Sequence, residues 1–239
     1  MQSEQLRALS WQLLRTQDEE RRHIARELHD SAGQTLTVLG MSLAQLVQKA
    51  GRYAPELANE AELIQETVQQ LHREIRTTSY LLHPPLLDET GLSSALDWYV
   101  QGLVERSGLE IKLNVSQDLG RLPGDMELVI FRLVQECLTN IHRHSGSNRA
   151  CINILREDGS ITVEVQDFGK GMSPEKLAEI QLRGSGVGIR GIRERLRQFD
   201  GRLTIESGNS GTRVLARIPL AEKQAAETQP GPDPLQAAV

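Results

Sequence analysis

The sequence predicts an α+β protein: a long helical hairpin that assembles into a dimeric four-helix bundle, followed by an α/β sandwich. Three observations carry this reading. Apolar residues in the first part recur at helical spacing over two long stretches, separated by Gly51 and Pro55. The second of these stretches keeps a heptad repeat. After His83-Pro84-Pro85, where proline disfavours helix in the residue before it, the pattern changes to short alternating segments divided by turns.

The first helix is expected over 4–49. With Leu28 as origin and about 100° per residue, Ile24, Leu28, Ala32, Leu36, Leu39, Leu43 and Leu46 fall on one side. In the second helix Leu57, Ala61, Ile64, Val68, Leu71, Ile75 and Leu82 follow the seam of a heptad, with Thr78 as its polar member. One hairpin buries little apolar surface, and a heptad seam asks for a partner. A homodimer answers both needs, the alternative being a monomer whose hairpin packs on its own C-terminal half. Residues 1–87 are therefore assigned to the hairpin. In the second unit, 88–220, Leu92–Glu105 reads as helix, Glu110–Val115 as strand and Gly124–His144 as a strongly apolar helix. Strands Ala150–Leu155 and Ser160–Asp167 flank the Asp158-Gly159 turn. A polar loop, Lys170 to Arg183, leads into glycine-rich sequence and a helix from Ile189 to Phe199, and strands Arg202–Ser207 and Thr212–Ile218 follow. Residues 221–239, rich in Ala, Gln, Pro and Glu, read as a disordered tail.

Composition narrows the function. The chain has 239 residues, a net charge of −5 and 3% aromatics, which argues against a nucleic-acid partner held by a basic field or by base stacking. Cys137 and Cys151 lack metal or redox spacing. No apolar run approaches a membrane span and the N-terminus lacks a signal-peptide pattern, so the chain is expected in the cytoplasm, alone or as the cytosolic part of a membrane receptor.

His29 sits in Glu27-Leu28-His29-Asp30-Ser31-Ala32-Gly33-Gln34, on the shoulder of the apolar stripe. Arg22, Arg26 and Gly33 share its sector of an α-helix, an arrangement that attracts an anion and leaves it room. Read alone, such a histidine is a solvated surface residue. Gln34 lies beside Asp30 and about 140° from His29. Downstream, a polar line of Arg132, Glu136, Asn140, Arg143 and His144 marks an otherwise apolar helix, and its hard oxygen ligands suit Mg²⁺. Asp167 ends a strand on the same inward side as Ile161, Val163 and Val165, where it needs a hydrogen-bond donor such as an adenine amino group. Gly169 and Gly171 allow the backbone close to a flat base. Gly184-Ser185-Gly186-Val187-Gly188 then opens a helix whose N-terminal amides suit phosphate. Gly186-x-Gly188-x-x-Gly191 follows a polar loop rather than a strand, so it is no Rossmann fingerprint. Asp167-Phe168-Gly169 lacks the strand lysine and glycine loop of a protein kinase.

Taken in order, Glu136-x-x-x-Asn140, Asp167-x-Gly169-x-Gly171, Gly186-x-Gly188 and Gly211-Thr212 resemble the boxes of the Bergerat-fold ATPases, the superfamily of gyrase and the sensor histidine kinases. Arg26-Glu27-Leu28-His29-Asp30-x-x-Gly33-Gln34 is similar to the phosphoacceptor motif of the NarL-type sensor histidine kinases. Leu82-His83-Pro84-Pro85-Leu86-Leu87-Asp88 and Gly191-Ile192-Arg193-Glu194-Arg195 resemble their junction and post-lid helix. The resemblance implies that His29 is the phosphorylated imidazole, Asp30 its acid-base neighbour, and Gln34 the residue that positions water in a phosphatase reaction. It implies that Asn140 and Glu136 serve Mg²⁺, that Arg143 and His144 lie at the ATP site, and that Asp167 reads adenine with Thr212 nearby. Gly186 and Gly188 would belong to a short lid over the phosphates. ATP would phosphorylate His29, and the phosphoryl group would pass to an aspartate of a response regulator, usually one with a helix-turn-helix output domain. An ATPase that only drives a conformational change leaves the His29 motif and the heptads without a task. A nucleotide-binding scaffold is the remaining alternative. His23, His72, His83 and His142 do not fit the acceptor motif.

Overall fold

The computed structural model describes residues 2–183 and 187–220. Helices α1 (Gln2–Glu27) and α2 (Gln34–Tyr53) form one rod, interrupted by a π-helical turn at Leu28–Gly33. Just beyond that turn the hydroxyls of Thr35 and Thr37 donate back to the carbonyls of Ser31 and Gly33, each at 2.9 Å, a local bond that loosens an α-helical ladder. Ala54, at φ −148° and ψ 67°, breaks the helix, and Pro55 opens α3 (Pro55–Leu82) at the position where its missing N–H costs nothing. Helix α3 folds back on α2, burying Leu43, Ala50 and Ala61. A row of Leu39, Leu46, Leu57, Ile64 and Leu71 stays 43–53% exposed along the pair. These residues repeat every seven positions on each helix, so the hairpin carries an apolar face that it cannot cover itself.

The second unit contains α4 (Pro85–Glu89), α5 (Leu92–Ser107), β1 (Glu110–Val115), α6 (Gly124–Asn140), β2 (Arg149–Glu157), β3 (Ser160–Asp167), α7 (Pro174–Arg183), α8 (Val187–Arg197), β4 (Arg202–Gly208) and β5 (Gly211–Pro219). The five strands form one sheet in the order β1-β2-β3-β5-β4. Strands β1 and β2 run parallel because α6 crosses between them, and the other neighbours are antiparallel. Ile152, Ile154, Ile161, Val163, Ala216 and Ile218 are fully buried on the sheet against Leu96, Ile130, Phe131, Leu133 and Leu196 of α5, α6 and α8. This is the expected two-layer α/β sandwich.

Three local features differ from expectation. The apolar helix ends at Asn140 and continues as a π-helical turn, Ile141–Ser145, which Gly146 closes at φ +68°. The segment expected as a polar loop contains α7. Its start is marked by Ser173-Pro174-Glu175, and the Lys176 amide donates to Ser173 Oγ at 3.3 Å. The short helix α4 opens at the second proline of the pair and sinks Leu87 into the core of the second unit. The expected tail, 221–239, lies outside the described residues.

Ion pairs join the hairpin to the second unit. Asp18 of α1 is buried, and its Oδ2 accepts from Nε of Arg195 on α8 at 3.0 Å. Nε of Arg132 on α6 approaches Asp18 Oδ1 at 3.8 Å, an ion contact without a hydrogen bond. The same guanidinium donates to the Leu81 carbonyl at 3.3 Å and to the Leu82 carbonyl, so it caps the C-terminal end of α3. Burial pulls the Arg132 pKa down to about 10 and Asp18 opposes the shift, which leaves the group charged at neutral pH. Nearby, Asp88 accepts from Arg22 at 2.8 Å and faces His83 Nε2 at 3.3 Å. His83 is 3% exposed and its Nδ1 has no partner. Burial lowers its pKa despite the pull of Asp88 in the other direction.

Two outcomes follow at this junction. Asp18→Asn leaves two buried guanidinium groups without their carboxylate and should cost about 3 kcal/mol in urea unfolding. His83 holds a proton less readily folded than unfolded, so the unfolded chain takes up the proton first as pH falls. Stability should therefore decline from about pH 7 to about pH 5.5, and thermal melts of His83→Leu should show a flatter dependence over that window.

Candidate functional site

A cavity of about 590 Å³ opens where the end of α6 meets the ends of β3, β4 and β5, a size ordinary for a small-molecule site. Glu136, Asn140, Arg143 and His144 line one side, and Asp167, Gly171 and Thr212 line another. Residues 23 to 76 positions apart in sequence are thus gathered at one place by the β-α-β crossover and the sheet order. Glu136 and Asn140 lie one turn apart, and the Asn140 carboxamide donates to Glu136 Oε1 at 3.1 Å. That leaves the Asn140 carbonyl oxygen as an acceptor for another partner. The π-helical turn that follows Asn140 carries both Arg143 and His144 to the cavity wall.

Asp167 is 4% exposed, as its inward position at the end of β3 requires. One carboxylate oxygen accepts from the Gly169 amide at 2.8 Å. Thr212 Oγ1 lies 2.8 Å from Ser207 Oγ, which also accepts from the Met172 amide at 2.8 Å, so the threonine is held in a network. Beneath Glu136, burial pushes the Cys137 thiol up to about 12, which removes it as a nucleophile.

The glycines have duties within the chain itself. Gly169 does not line the cavity. A Cβ there would strike the Ser145 backbone, whose carbonyl accepts from the Lys170 amide at 3.0 Å. Gly171 lines the cavity at φ +64°, and a Cβ would fall on the Gly208 carbonyl. A Cβ on Gly188 would fall on the Glu136 carboxylate, so the start of α8 rides directly over that side chain. Gly186 lies outside the described residues.

Lys170 and Lys176 also line the cavity, and sequence reasoning missed both. Lys176 is paired with Glu179 at 2.9 Å. A lysine one position after Gly169 was the available signal. The apolar wall formed by Met172 and Ile180 was hidden because their segment was read as a polar loop.

His29 stands apart from this cavity, in a smaller one of about 170 Å³ between the rod and α3. Gln34 lines that same space, together with Gly33, Thr37, His72 and Arg76. A straight α-helix would carry Gln34 well around from His29. The Leu28–Gly33 π turn, with its i→i+5 spacing, brings it back. Asp30 is exposed on the same turn, outside the lining. The expected arginine sector is not assembled. Arg22 is spent on Asp88, and neither Arg22 nor Arg26 lines the His29 cavity.

Glu136 and Asn140 suit Mg²⁺ by donor type. Among the described residues no cluster of three or more His, Cys, Asp or Glu could hold a metal. The ion would thus complete its shell with phosphate oxygens and water, as Mg²⁺ commonly does.

Two glycine substitutions should separate folding from binding. Gly171→Ala forces a left-handed backbone and a backbone collision, and should cost about 2 kcal/mol or more in denaturant unfolding. Gly188→Ala meets only the movable end of Glu136, so stability should hold while calorimetric affinity for Mg-ATP falls.

Both units of the chain match known protein families. The profile described as "Histidine kinase" matches residues 20–87, and that of the "Histidine kinase-, DNA gyrase B-, and HSP90-like ATPase" matches residues 125–222. A curated relative, the sensor histidine kinase MctS of Rhizobium johnstonii, is 32% identical over 233 residues, 96% of this chain. The chain spans 49% of that relative's length. Among solved structures, the histidine kinase domain of the blue-light activated histidine kinase of Erythrobacter litoralis is 23% identical, with a TM-score of 0.48 over 78% of this chain and 94% of that one. The mycobacterial sensor histidine kinase MprB gives 18% identity and a TM-score of 0.43, over 54% of this chain and 93% of that one. No described helix is long and apolar enough to cross a membrane. With a histidine kinase hairpin followed by a histidine kinase-like ATPase domain, the chain belongs to the NarL-type sensor histidine kinases, a family of ATP-dependent protein-histidine kinases.

Proposed function

We propose that this chain binds Mg-ATP in the larger cavity, phosphorylates His29, and passes the phosphoryl group to an aspartate of a response regulator. The observation that carries this reading is one cavity lined by a buried carboxylate, Asp167, at one side and the Glu136–Asn140 pair with Arg143 and His144 at another. Asp167 accepts the adenine amino group, with Thr212 beside it. Asn140 and Glu136 hold Mg²⁺, which supplies charge neutralisation at the phosphates when bound. Arg143, His144 and Lys170 face the phosphate oxygens, and Gly188 lets the start of α8 come close to them.

Phosphoryl transfer asks the protein mainly to position groups and offset charge. Asp30 accepts the N–H proton of the His29 ring as the other ring nitrogen attacks with its lone pair. Gln34, within the same cavity as His29, orients water for phosphatase action on the regulator. The regulator is expected to carry a helix-turn-helix output domain. The active form is a homodimer: a second copy supplies the heptad partner that the exposed row Leu39, Leu46, Leu57, Ile64 and Leu71 lacks. Residues 1–87 are assigned to dimerisation and phosphoacceptance, and residues 88–220 to ATP binding. The proposed setting is the cytoplasm.

In a filter assay with γ-labelled ATP and Mg²⁺, wild type should take up label. His29→Gln should bind ATP normally and take up none, and Asn140→Ala should lose both binding and label. Equal labelling of wild type and His29→Gln would refute the assignment.

A further inference from the structure

The His29 cavity has a second wall, and it comes from α3. Arg76 and His72 line it opposite His29, Gly33 and Gln34. No carboxylate lines the cavity, so its charge suits an anion. Among the described residues Arg76 pairs with no acid, and its recorded partners are two aromatic rings. Its guanidinium carbon lies 5.9 Å from the Tyr80 ring centre and 6.0 Å from that of Trp98. Those rings stack at 3.6 Å and 25°, Tyr80 on α3 and Trp98 on α5 of the second unit. Rings of this kind hold a cation without neutralising it, and the planar guanidinium keeps its donors free for phosphate. A Cβ on Gly33 would meet only the Leu28 carbonyl at 3.7 Å, an ordinary contact, so packing within the chain does not demand glycine there.

We propose that Arg76 is a catalytic residue of the acceptor site, pairing with the phosphoryl oxygens as the group arrives on His29. The proposal rests on His29 being the acceptor. In the step, the bond from the γ-phosphorus to the β–γ bridging oxygen breaks and its electron pair leaves on ADP. The His29 ring nitrogen forms the new N–P bond with its lone pair, and the ring's other proton passes to Asp30 and then to water. The transferred group keeps its negative oxygens, and Arg76 is the cation on the facing wall. Arg22 and Arg26, chosen from the sequence for this duty, do not line the cavity.

The test compares the wild-type chain with Arg76→Gln, Arg76→Lys and His29→Gln. It reads the initial labelling rate at saturating Mg-ATP, the ATP dissociation constant and the melting temperature. Arg76→Gln should label about tenfold more slowly or worse, with ATP affinity and melting temperature unchanged. Arg76→Lys should recover a substantial part of the rate because it restores the positive charge. The proposal is overturned if Arg76→Gln labels at the wild-type rate, if its rate falls only in step with ATP affinity or melting temperature, or if Arg76→Lys is no faster than Arg76→Gln. Label that persists in His29→Gln overturns the acceptor assignment instead, and the proposal with it.

Discussion

Helix α6 is buried on nearly every side, and a helix in that position must give each polar side chain a partner. Its polar line is satisfied in two directions. Arg132, near the middle, turns to the hairpin, where it caps the end of α3 and meets Asp18. Glu136 and Asn140, one and two turns later, face the larger cavity. One helix therefore supplies the core, the attachment of the two units and the floor of the larger cavity. Moving Asp18 away from Arg132 and Arg195 would expose two buried cations, so the hairpin contact is tied to the element that carries the cavity.

Both candidate sites use a helix that departs from regular spacing. The turn Leu28–Gly33 brings Gln34 to the cavity of His29, and the turn Ile141–Ser145 sets Arg143 and His144 on the wall beside Asn140. An ideal helix displaces its residues by about 100° each, too regular a ladder to converge the side chains His29 and Gln34. Wide turns break internal hydrogen-bonding order, and a functional site is where that cost is commonly met. In each case local chemistry supports the irregularity. Thr35 and Thr37 back-bond beyond the first turn, while Ser145 donates to Ile141 and Gly146 closes the second.

Much of the fold was legible in sequence because periodicity is local. Strands Glu110–Val115 and Ser160–Asp167 have the expected limits, since alternation over six or eight residues is a direct image of one buried face. The gathering of Glu136, Asn140, Arg143, His144, Asp167, Gly171 and Thr212 at one cavity was also anticipated. Helix α7 was overlooked because Leu177 and Ile180 are sparse among charges, although Ser173-Pro174-Glu175 is a start signal. The place of Gln34 was not legible, because a helical wheel assumes the regular turn that this rod abandons. Nor was the loss of Arg22 to Asp88, a partner 66 residues away. The same limit hid Asp18 and Arg195, 177 residues apart, and the approach of Arg76 to His29 across the hairpin.

The central claim is that the phosphoryl group of ATP comes to rest on the imidazole of His29. Its most direct test is to map the phosphorylated peptide of the wild-type protein, kept at alkaline pH throughout, and to follow the release of phosphate from that peptide in acid. The account predicts a single phosphorylated peptide containing His29, stable in alkali and rapidly lost in acid. An acid-stable phosphate, or one carried on a peptide without His29, would contradict it.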